Sequence, residues 1–155
     1  MAMTKTRMTI VLLAVAVVAS ACGSSSSATT PASTTQTMTT DTFTGIVPAA
    51  VNGAMQSSFN QFVVGQGGGT VTLALTSAIE TLPGNTYVAN VTMGLGIGTP
   101  ANGVCTLLSG TSLYQTQPNA LSPYGTFAAG TFCVLIQDVT GQLGPVNYSI
   151  AVTHP

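Results

Sequence analysis

Charged side chains are almost missing from this sequence. Of its 155 residues, three are Asp or Glu and two are Lys or Arg, so that 3% are charged, against about 25% in an average globular domain. Both basic residues, Lys5 and Arg7, lie at the N-terminus, and no Lys or Arg follows them. Binding to a phosphate backbone needs clustered Lys and Arg. The composition therefore predicts no nucleic-acid partner.

Groups for acid and base catalysis are equally scarce. After Arg7 the sequence offers Asp41, Glu80, Asp138 and His154, scattered along the chain, whereas catalysis needs such groups close together. A hydrolase that used a serine with His154 is an alternative, but no G-x-S-x-G nucleophile motif is present. We therefore expect no enzymatic activity and no cofactor. We expect His154, next to the C-terminal residue, to be exposed and without a partner.

The N-terminus has the pattern of an export signal. Lys5 and Arg7 precede an apolar run at residues 10–19, and small residues follow as far as Cys22. The run is about half of the roughly 20 apolar residues that a membrane-spanning helix needs. Residues 19–22, Ala-Ser-Ala-Cys, resemble the end of a bacterial lipoprotein signal, although Leu is more usual at the position of Ala19.

This resemblance implies that residues 1–21 are a lipoprotein signal peptide and that Cys22 becomes the lipidated first residue of the mature protein. Two or more acyl chains, such as palmitate, give stable membrane anchoring where one chain does not. By the rule for such lipoproteins, Gly23 implies the outer membrane if the source is Gram-negative. The alternative is an ordinary secretory signal cut after Ala21, with Cys22 incidental.

The next segment, residues 22–40, has the composition of a tether. Twelve of its nineteen residues are Ser or Thr, and none is charged, so it cannot form a packed core. As a flexible coil it has a root-mean-square reach of about 23 Å. The remaining residues, 41–155, have a suitable length for one domain with a two-layer core.

Within this domain, apolar and polar residues alternate with a period of two, which is typical of strands that bury one face. The clearest examples are residues 70–76, 91–98, 132–137 and 146–153. Weaker examples are residues 42–47, 58–64, 104–108 and 124–128, whereas residues 48–56 are expected to form a loop. About eight strands with Gly or Pro turns predict an all-β fold, an antiparallel β-sandwich of the jelly-roll or immunoglobulin-like kind.

Gly94, Gly96 and Gly98 alternate within one predicted strand. A dinucleotide-binding loop has the pattern G-x-G-x-x-G between a strand and a helix, and neither the spacing nor the context fits. Glycine on one face of a strand usually marks a bend or the close approach of another backbone. We predict this structural role for the three glycines.

Cys105 and Cys133 form an even pair once Cys22 is assigned to the lipid. Export places them in an oxidising compartment, and neither has a neighbouring His or Cys that would indicate a metal site. We therefore predict one disulfide between them, with Cα atoms within about 7 Å.

A set of short segments carries a resemblance to a known domain. They are residues 43–45, 59–64, 69–76, 93–100 with Cys105, 130–138 and 144–155. Together they resemble a bacterial exported β-sandwich domain related to the pre-peptidase C-terminal domain, over about 110 residues. The resemblance implies an accessory domain without catalytic residues.

Asp138 is the weak metal candidate, because some relatives of this fold place a calcium ligand after that strand. Ca²⁺ takes six to eight oxygen ligands, and nothing in the sequence brings Asp41 or Glu80 beside Asp138. We therefore predict no metal site. Asp138 is expected to accept hydrogen bonds from the amides of the turn that follows it.

Aromatic residues suggest where a ligand could bind. Trp, the usual stacking platform for sugars, is missing. Tyr148 is in phase with the apolar residues of its strand, which predicts a core position. Tyr114 and Tyr124 lie in or beside the irregular residues 110–123, and long irregular loops are often functional. We name this stretch as the possible binding loop.

These features favour a non-enzymatic, lipid-anchored β-sandwich of the bacterial cell envelope. Its expected role is that of a structural or protein-interaction module with an envelope protein as partner. The alternative is a carbohydrate-binding module at the cell surface that would bind a glycan through Tyr114 and Tyr124.

Overall fold

The computed structural model describes residues 36–155, and every regular element there is a β-strand. The signal segment, Cys22 and most of the predicted tether lie outside the described residues. The first strand begins at Thr39, so it includes the last two residues of that tether. Within residues 36–155, no helix has the length and hydropathy that crossing a membrane would require.

Ten strands follow one another along the chain. They are β1 Thr39–Val47, β2 Ser57–Val64, β3 Gly69–Leu82, β4 Thr86–Ala89, β5 Met93–Ala101, β6 Val104–Leu107, β7 Tyr114–Thr116, β8 Leu121–Phe127, β9 Gly130–Asp138 and β10 Val146–His154. All pairings between them are antiparallel.

The strands form two five-stranded sheets. In the first, the order is β1-β10-β3, and the long strand β3 pairs on its other side with β8 along one half and β4 along the other. In the second, the order is β2-β9-β5, and β5 pairs similarly with β7 and then β6. The antiparallel β-sandwich predicted from the period-two pattern is confirmed.

Alternate residues of both sheets meet in one core. Val71, Leu73 and Leu75 of β3 are buried against Leu95 and Ile97 of β5 and their neighbours. The same alternation buries every second residue of β10, from Val146 to His154. Burial of a large aliphatic side chain contributes about 1.5–3 kcal/mol, which explains why this apolar stripe determines which face of each strand points inward.

Tyr148 is buried in the core, as predicted, and its hydroxyl connects the two sheets. The hydroxyl accepts a hydrogen bond from Asn60 Nδ2 at 3.0 Å and lies 3.0 Å from Ser58 Oγ. The ring passes beneath Gly45 of β1, where a Cβ atom would lie 2.6 Å from the Tyr148 hydroxyl oxygen. A buried hydroxyl needs partners, and β2 supplies them across the layer.

The strand register defines two ends of the sandwich. Thr39 pairs with His154, so the tether enters where the chain ends, and we call this the tether end. At the opposite end Val47 pairs with Val146, which also pairs with Glu80. We call this the far end, and it carries the loops at residues 48–56, 83–85 and 139–145. Residues 48–56 contain no helix and close on a Val51–Ala54 bridge, so the predicted loop is confirmed.

Candidate functional site

The loop at residues 139–145 is organised by Asp138, the last residue of β9. This side chain is completely buried. One of its oxygens accepts hydrogen bonds from the N–H groups of Thr140 and Gly141 at 2.9 and 2.8 Å, and the other accepts from Gln142 N–H at 2.7 Å. The predicted role of Asp138, as acceptor for the amides of its turn, is confirmed.

Glu80 holds the other side of the same loop. It is buried on β3, and its carboxylate accepts a hydrogen bond from Gly144 N–H at 2.8 Å. A Cβ atom at residue 144 would overlap the carbonyl oxygen of Thr81, so that only glycine fits. Thr81 N–H in turn donates to the carbonyl of Pro145 at 2.9 Å. Two of the three carboxylates of the chain therefore fix one loop, which the sequence pattern did not indicate for Glu80.

The described residues contain no group of three or more His, Cys, Asp or Glu side chains that could hold a metal ion. Asp138 and Glu80 use their oxygens on backbone amides of one loop. Asp41 lies at the tether end, on β1. Asp138 therefore has the geometry of a hydrogen-bond acceptor for the backbone of the turn that follows it.

The disulfide between Cys105 and Cys133 is present, with the Cα atoms 6.0 Å apart. Both strands that carry it pair with β5, one on each side, and Gly98 lies between them. A Cβ atom at residue 98 would lie 3.0 Å from the Cys105 sulfur and would overlap the Thr106 carbonyl oxygen. The disulfide therefore crosses β5 at a position that has no side chain.

The other two glycines of the ladder are covered by side chains. Gly96 lies under Leu107 and Leu113, and Gly94 lies under Val139 and Leu113. These leucines also pack on Cys133 and Leu135, forming a second small cluster on the outer face of this sheet. The predicted structural role of the three glycines is confirmed: backbone approaches one of them, and apolar side chains approach the other two.

Replacement of Gly98 by alanine is expected to destabilise the domain by at least about 2 kcal/mol, because a methyl group there has to displace backbone. Gly130 is a matched control, since it is also a strand residue and a Cβ atom there has no neighbour nearer than 3.6 Å. Gly130→Ala is expected to change the free energy of unfolding by less than about 0.5 kcal/mol. Urea unfolding gives the free energy of unfolding of both variants. Equal losses would contradict the crossing of the disulfide over β5 at Gly98.

The two tyrosines of the predicted binding loop have different environments. Tyr114, on β7, is 49% exposed. Tyr124, on β8, packs partly buried against the core, and its hydroxyl accepts a hydrogen bond from Ile97 N–H at 2.7 Å. That N–H lies on the edge of β5 between the partner segments β7 and β6, so Tyr124 fills a gap in strand pairing. Tyr124 is held by the fold, so that of these two tyrosines only Tyr114 is open to a ligand.

Burial raises the pKa of the Tyr124 hydroxyl above its ordinary value of 10.0, and the hydrogen bond from Ile97 N–H opposes that rise. The folded state therefore favours the neutral phenol. The stability that the neutral Tyr124 phenol contributes to the folded state is fully present below pH 10. It is lost as the pH rises through the folded-state pKa of this hydroxyl.

Tyr124→Phe is expected to lower the free energy of unfolding at pH 7 by about 1–2 kcal/mol, because it leaves the Ile97 N–H without a partner. The variant is also expected to lose less stability than the unchanged protein between pH 9 and 11. Urea unfolding across that range is the measurement, and Tyr114→Phe is the control. Parallel pH profiles for all three proteins would contradict the assignment.

The expectation that His154 is exposed and unpartnered is wrong. It is the last residue of β10, where its ring is buried against Phe62 with the ring centroids 5.3 Å apart. Its Nε2 lies 3.0 Å from the Asp41 carboxylate, and its Nδ1 lies 3.1 Å from the backbone oxygen of Pro155. The error arises because the partner Asp41 is 113 residues away in sequence and is brought close only by the pairing of β1 with β10.

Comparison with known proteins gives no assignment. No protein-family model matches the sequence, and no curated protein is significantly similar to it.

Proposed function

We propose that this protein is a non-enzymatic lipoprotein of the bacterial cell envelope, anchored through Cys22 and displaying a β-sandwich as a structural or protein-interaction module. Residues 1–21 are its signal peptide, and the Ser- and Thr-rich segment after Cys22 is the tether. In a Gram-negative source, Gly23 directs it to the outer membrane. The relationship to the pre-peptidase C-terminal domain is part of this proposal, and the antiparallel sandwich supports it.

The observation that carries the proposal is that the ionisable side chains of the domain form hydrogen bonds within the fold. Asp138 and Glu80 are buried and bonded to backbone amides, and the His154 ring contacts the Asp41 carboxylate. Each of these groups has a structural partner within the fold. A domain whose few acids and bases all stabilise its own loops and strands suits a role in display and contact better than one in proton transfer.

The anchor is tested by replacing Cys22. The unchanged protein is expected in the membrane fraction of its host after a carbonate wash, and Cys22→Ser is expected in the soluble fraction or at precursor length. Ser24→Ala, two residues away, is the matched control and is expected to stay membrane-bound. Release of the unchanged protein by the wash would overturn the anchor and favour the ordinary secretory signal.

A carbohydrate-binding module is the second candidate, and the exposure of Tyr114 is the observation that favours it. Tyr114→Ala should abolish binding on a glycan array if this candidate is correct. Tyr124 is unsuitable for the same test, because its replacement disturbs the pairing edge of β5. Binding that is unchanged in Tyr114→Ala, or no binding by the unchanged protein, would remove the candidate.

A further inference from the structure

On one side of the sandwich, both sheets end in long and regular strands. β1 has nine residues and β2 has eight. Each pairs along its whole length with one neighbour, β10 or β9, without a register shift, and neither contains Pro, Lys or Arg. We call this the open side, because no strand within residues 36–155 lies beside the outer edge of β1 or of β2.

The opposite side of the sandwich is built differently. Its outer segments include β4, β6 and β7, which have four, four and three residues. The fourth segment, β8, contains Pro123, and its pairing with β3 shifts register after Val71. Short segments, proline and irregular pairing are the means by which proteins keep a sheet edge from pairing with another chain. β1 and β2 have none of these features.

Hydrogen bonds around β10 show which backbone groups of β1 point outward. Thr81 N–H donates to the Pro145 carbonyl at 2.9 Å, and Thr76 Oγ1 donates to the Ser149 carbonyl at 3.0 Å, so the odd-numbered residues of β10 face β3. Because facing directions alternate along a strand, the even-numbered residues of β10 bond to the odd-numbered residues of β1. The N–H and C=O groups that point away from β10 form what we call the β1 row: Thr40, Thr42, Thr44 and Ile46.

The outward groups of β2 follow from the same reasoning. Asp138 N–H donates to the Gln56 carbonyl at 3.0 Å, so the even-numbered residues of β2 face β9. Gly65 N–H points the other way and donates to the Pro155 backbone oxygen at 2.9 Å. The outward groups form what we call the β2 row: Ser57, Phe59, Gln61 and Val63. Within residues 36–155, no backbone group forms a hydrogen bond with the backbone of either row.

The two rows lie side by side, one in each layer of the sandwich. Gly45 of β1 lies over the Tyr148 hydroxyl, which accepts a hydrogen bond from Asn60 of β2, so the rows are at the same height. Each row also carries an aliphatic side chain that is more than half exposed, Ile46 or Val63. An extended peptide can pair with only one row. A partner that pairs with both rows needs two sheets with the spacing of this sandwich.

We propose that the open side binds the open side of a second copy of this chain. Half a turn about an axis perpendicular to the sheets brings β1 antiparallel to β1 of the second copy and β2 antiparallel to its β2, so that both sheets continue across the axis. With Phe43 on this axis, Thr42 lies opposite Thr44 of the second copy. Threonine pairs of this kind stabilise sheets. The Asp41 carboxylate lies opposite Gly45, so like charges do not face each other.

The pairing is closed at two copies, because the opposite side of each sandwich has no long regular edge to offer. This inference rests on the proposed role as a protein-interaction module and names the partner of that module. Its test uses the Cys22→Ser chain, so that a failure of the pairing and a failure of the anchor are observed separately.

The mass and the amide hydrogen exchange of Cys22→Ser, purified without detergent, test the pairing. Analytical ultracentrifugation at micromolar protein concentration is expected to give the mass of two chains. By NMR, the outward amides of Thr42, Thr44, Phe59 and Gln61 are expected to become protected from exchange as the protein concentration rises. The mass of one chain, with fast exchange of these four amides at every concentration, would overturn the proposal.

Two further results of the same measurements would also overturn it. Protection of these amides that does not depend on protein concentration would identify residues 22–35 of the same chain as the partner. A mass that grows beyond two chains with concentration would contradict the closed pairing.

Thr44→Pro removes one outward N–H group that pairing with β10 does not use, and proline is tolerated at such positions of edge strands. A symmetric dimer loses this hydrogen bond twice, so we expect association to weaken at least about tenfold. Gln61→Pro makes the same change in the β2 row. Thr44→Val keeps the N–H group and the branched shape, and as the control it is expected to associate like Cys22→Ser itself. Cooperative urea unfolding checks that each variant is folded, and unchanged association of either Pro variant would overturn the pairing of both rows.

Discussion

Asp138→Ala is expected to lower the free energy of unfolding by about 3–5 kcal/mol, among the larger effects of any single substitution. The carboxylate is completely buried and accepts three backbone N–H bonds. Removal leaves three donors without a partner beneath the far-end loop, and an unsatisfied buried donor costs about 1–3 kcal/mol. Urea unfolding of the oxidised protein measures the loss.

Asp138→Asn provides a graded control. The amide keeps one acceptor oxygen for Thr140 and Gly141 but presents a donor to the N–H of Gln142. We expect an intermediate loss of about 1–2 kcal/mol. A change below about 0.5 kcal/mol for Asp138→Ala would contradict the structural role. Added Ca²⁺ is expected to leave the unfolding midpoint unchanged, and a rise with Ca²⁺ would assign Asp138 to a metal site instead.

Loss of the disulfide is the second large effect. The bond closes a loop between residues 28 apart in sequence, which on the chain-entropy model corresponds to about 3.5 kcal/mol of stability. The double variant Cys105→Ser, Cys133→Ser is therefore expected to lose about that amount, plus a smaller contribution from hydroxyls placed among Leu107, Leu113 and Leu135. Urea unfolding without reductant gives the value.

The control for this variant is the unchanged protein unfolded in the presence of a reductant. Both samples lack the cross-link in the denatured state, so their midpoints should approach each other. The outcome that would contradict the stabilising role is an oxidised protein with the same midpoint as the double variant. Such a result would mean that the strand pairings of β5, without the disulfide, stabilise this region.

Long strands with one buried face were predictable from the sequence, as was the short edge strand β6, whereas the edge strands β4 and β7 were not. The alternation in β3, β9 and β10 extends over enough residues to show a period of two. Strands β4 and β7 have four and three residues, and β4 is exposed throughout. Such segments are strands because β3 and β5 offer free edges to pair with, which is a tertiary cause that no local pattern contains.

Local chemistry identified the roles of Asp138 and the cysteine pair, because turn amides follow Asp138 directly and only two cysteines remain once Cys22 is assigned to the predicted lipid anchor. The roles of Glu80, His154 and Tyr124 could not be found in this way. Their partners are 64, 113 and 27 residues away, respectively. A polar residue in phase with the apolar positions of its strand, as His154 is in β10, is the signal that indicates a buried partner. Glu80 gives no such signal, because it follows a register shift in β3 that reverses the phase of the preceding apolar residues.

The intact mass of the protein purified from membranes of its native host tests the central proposal most directly. We predict the mass of residues 22–155 plus a diacylglyceryl group, with or without a further acyl chain, and no alkylation of cysteine until the protein is reduced. An unlipidated mass, with a thiol that alkylates without reduction, would contradict the anchor at Cys22 and would make this a secreted protein whose ligand is to be sought in solution.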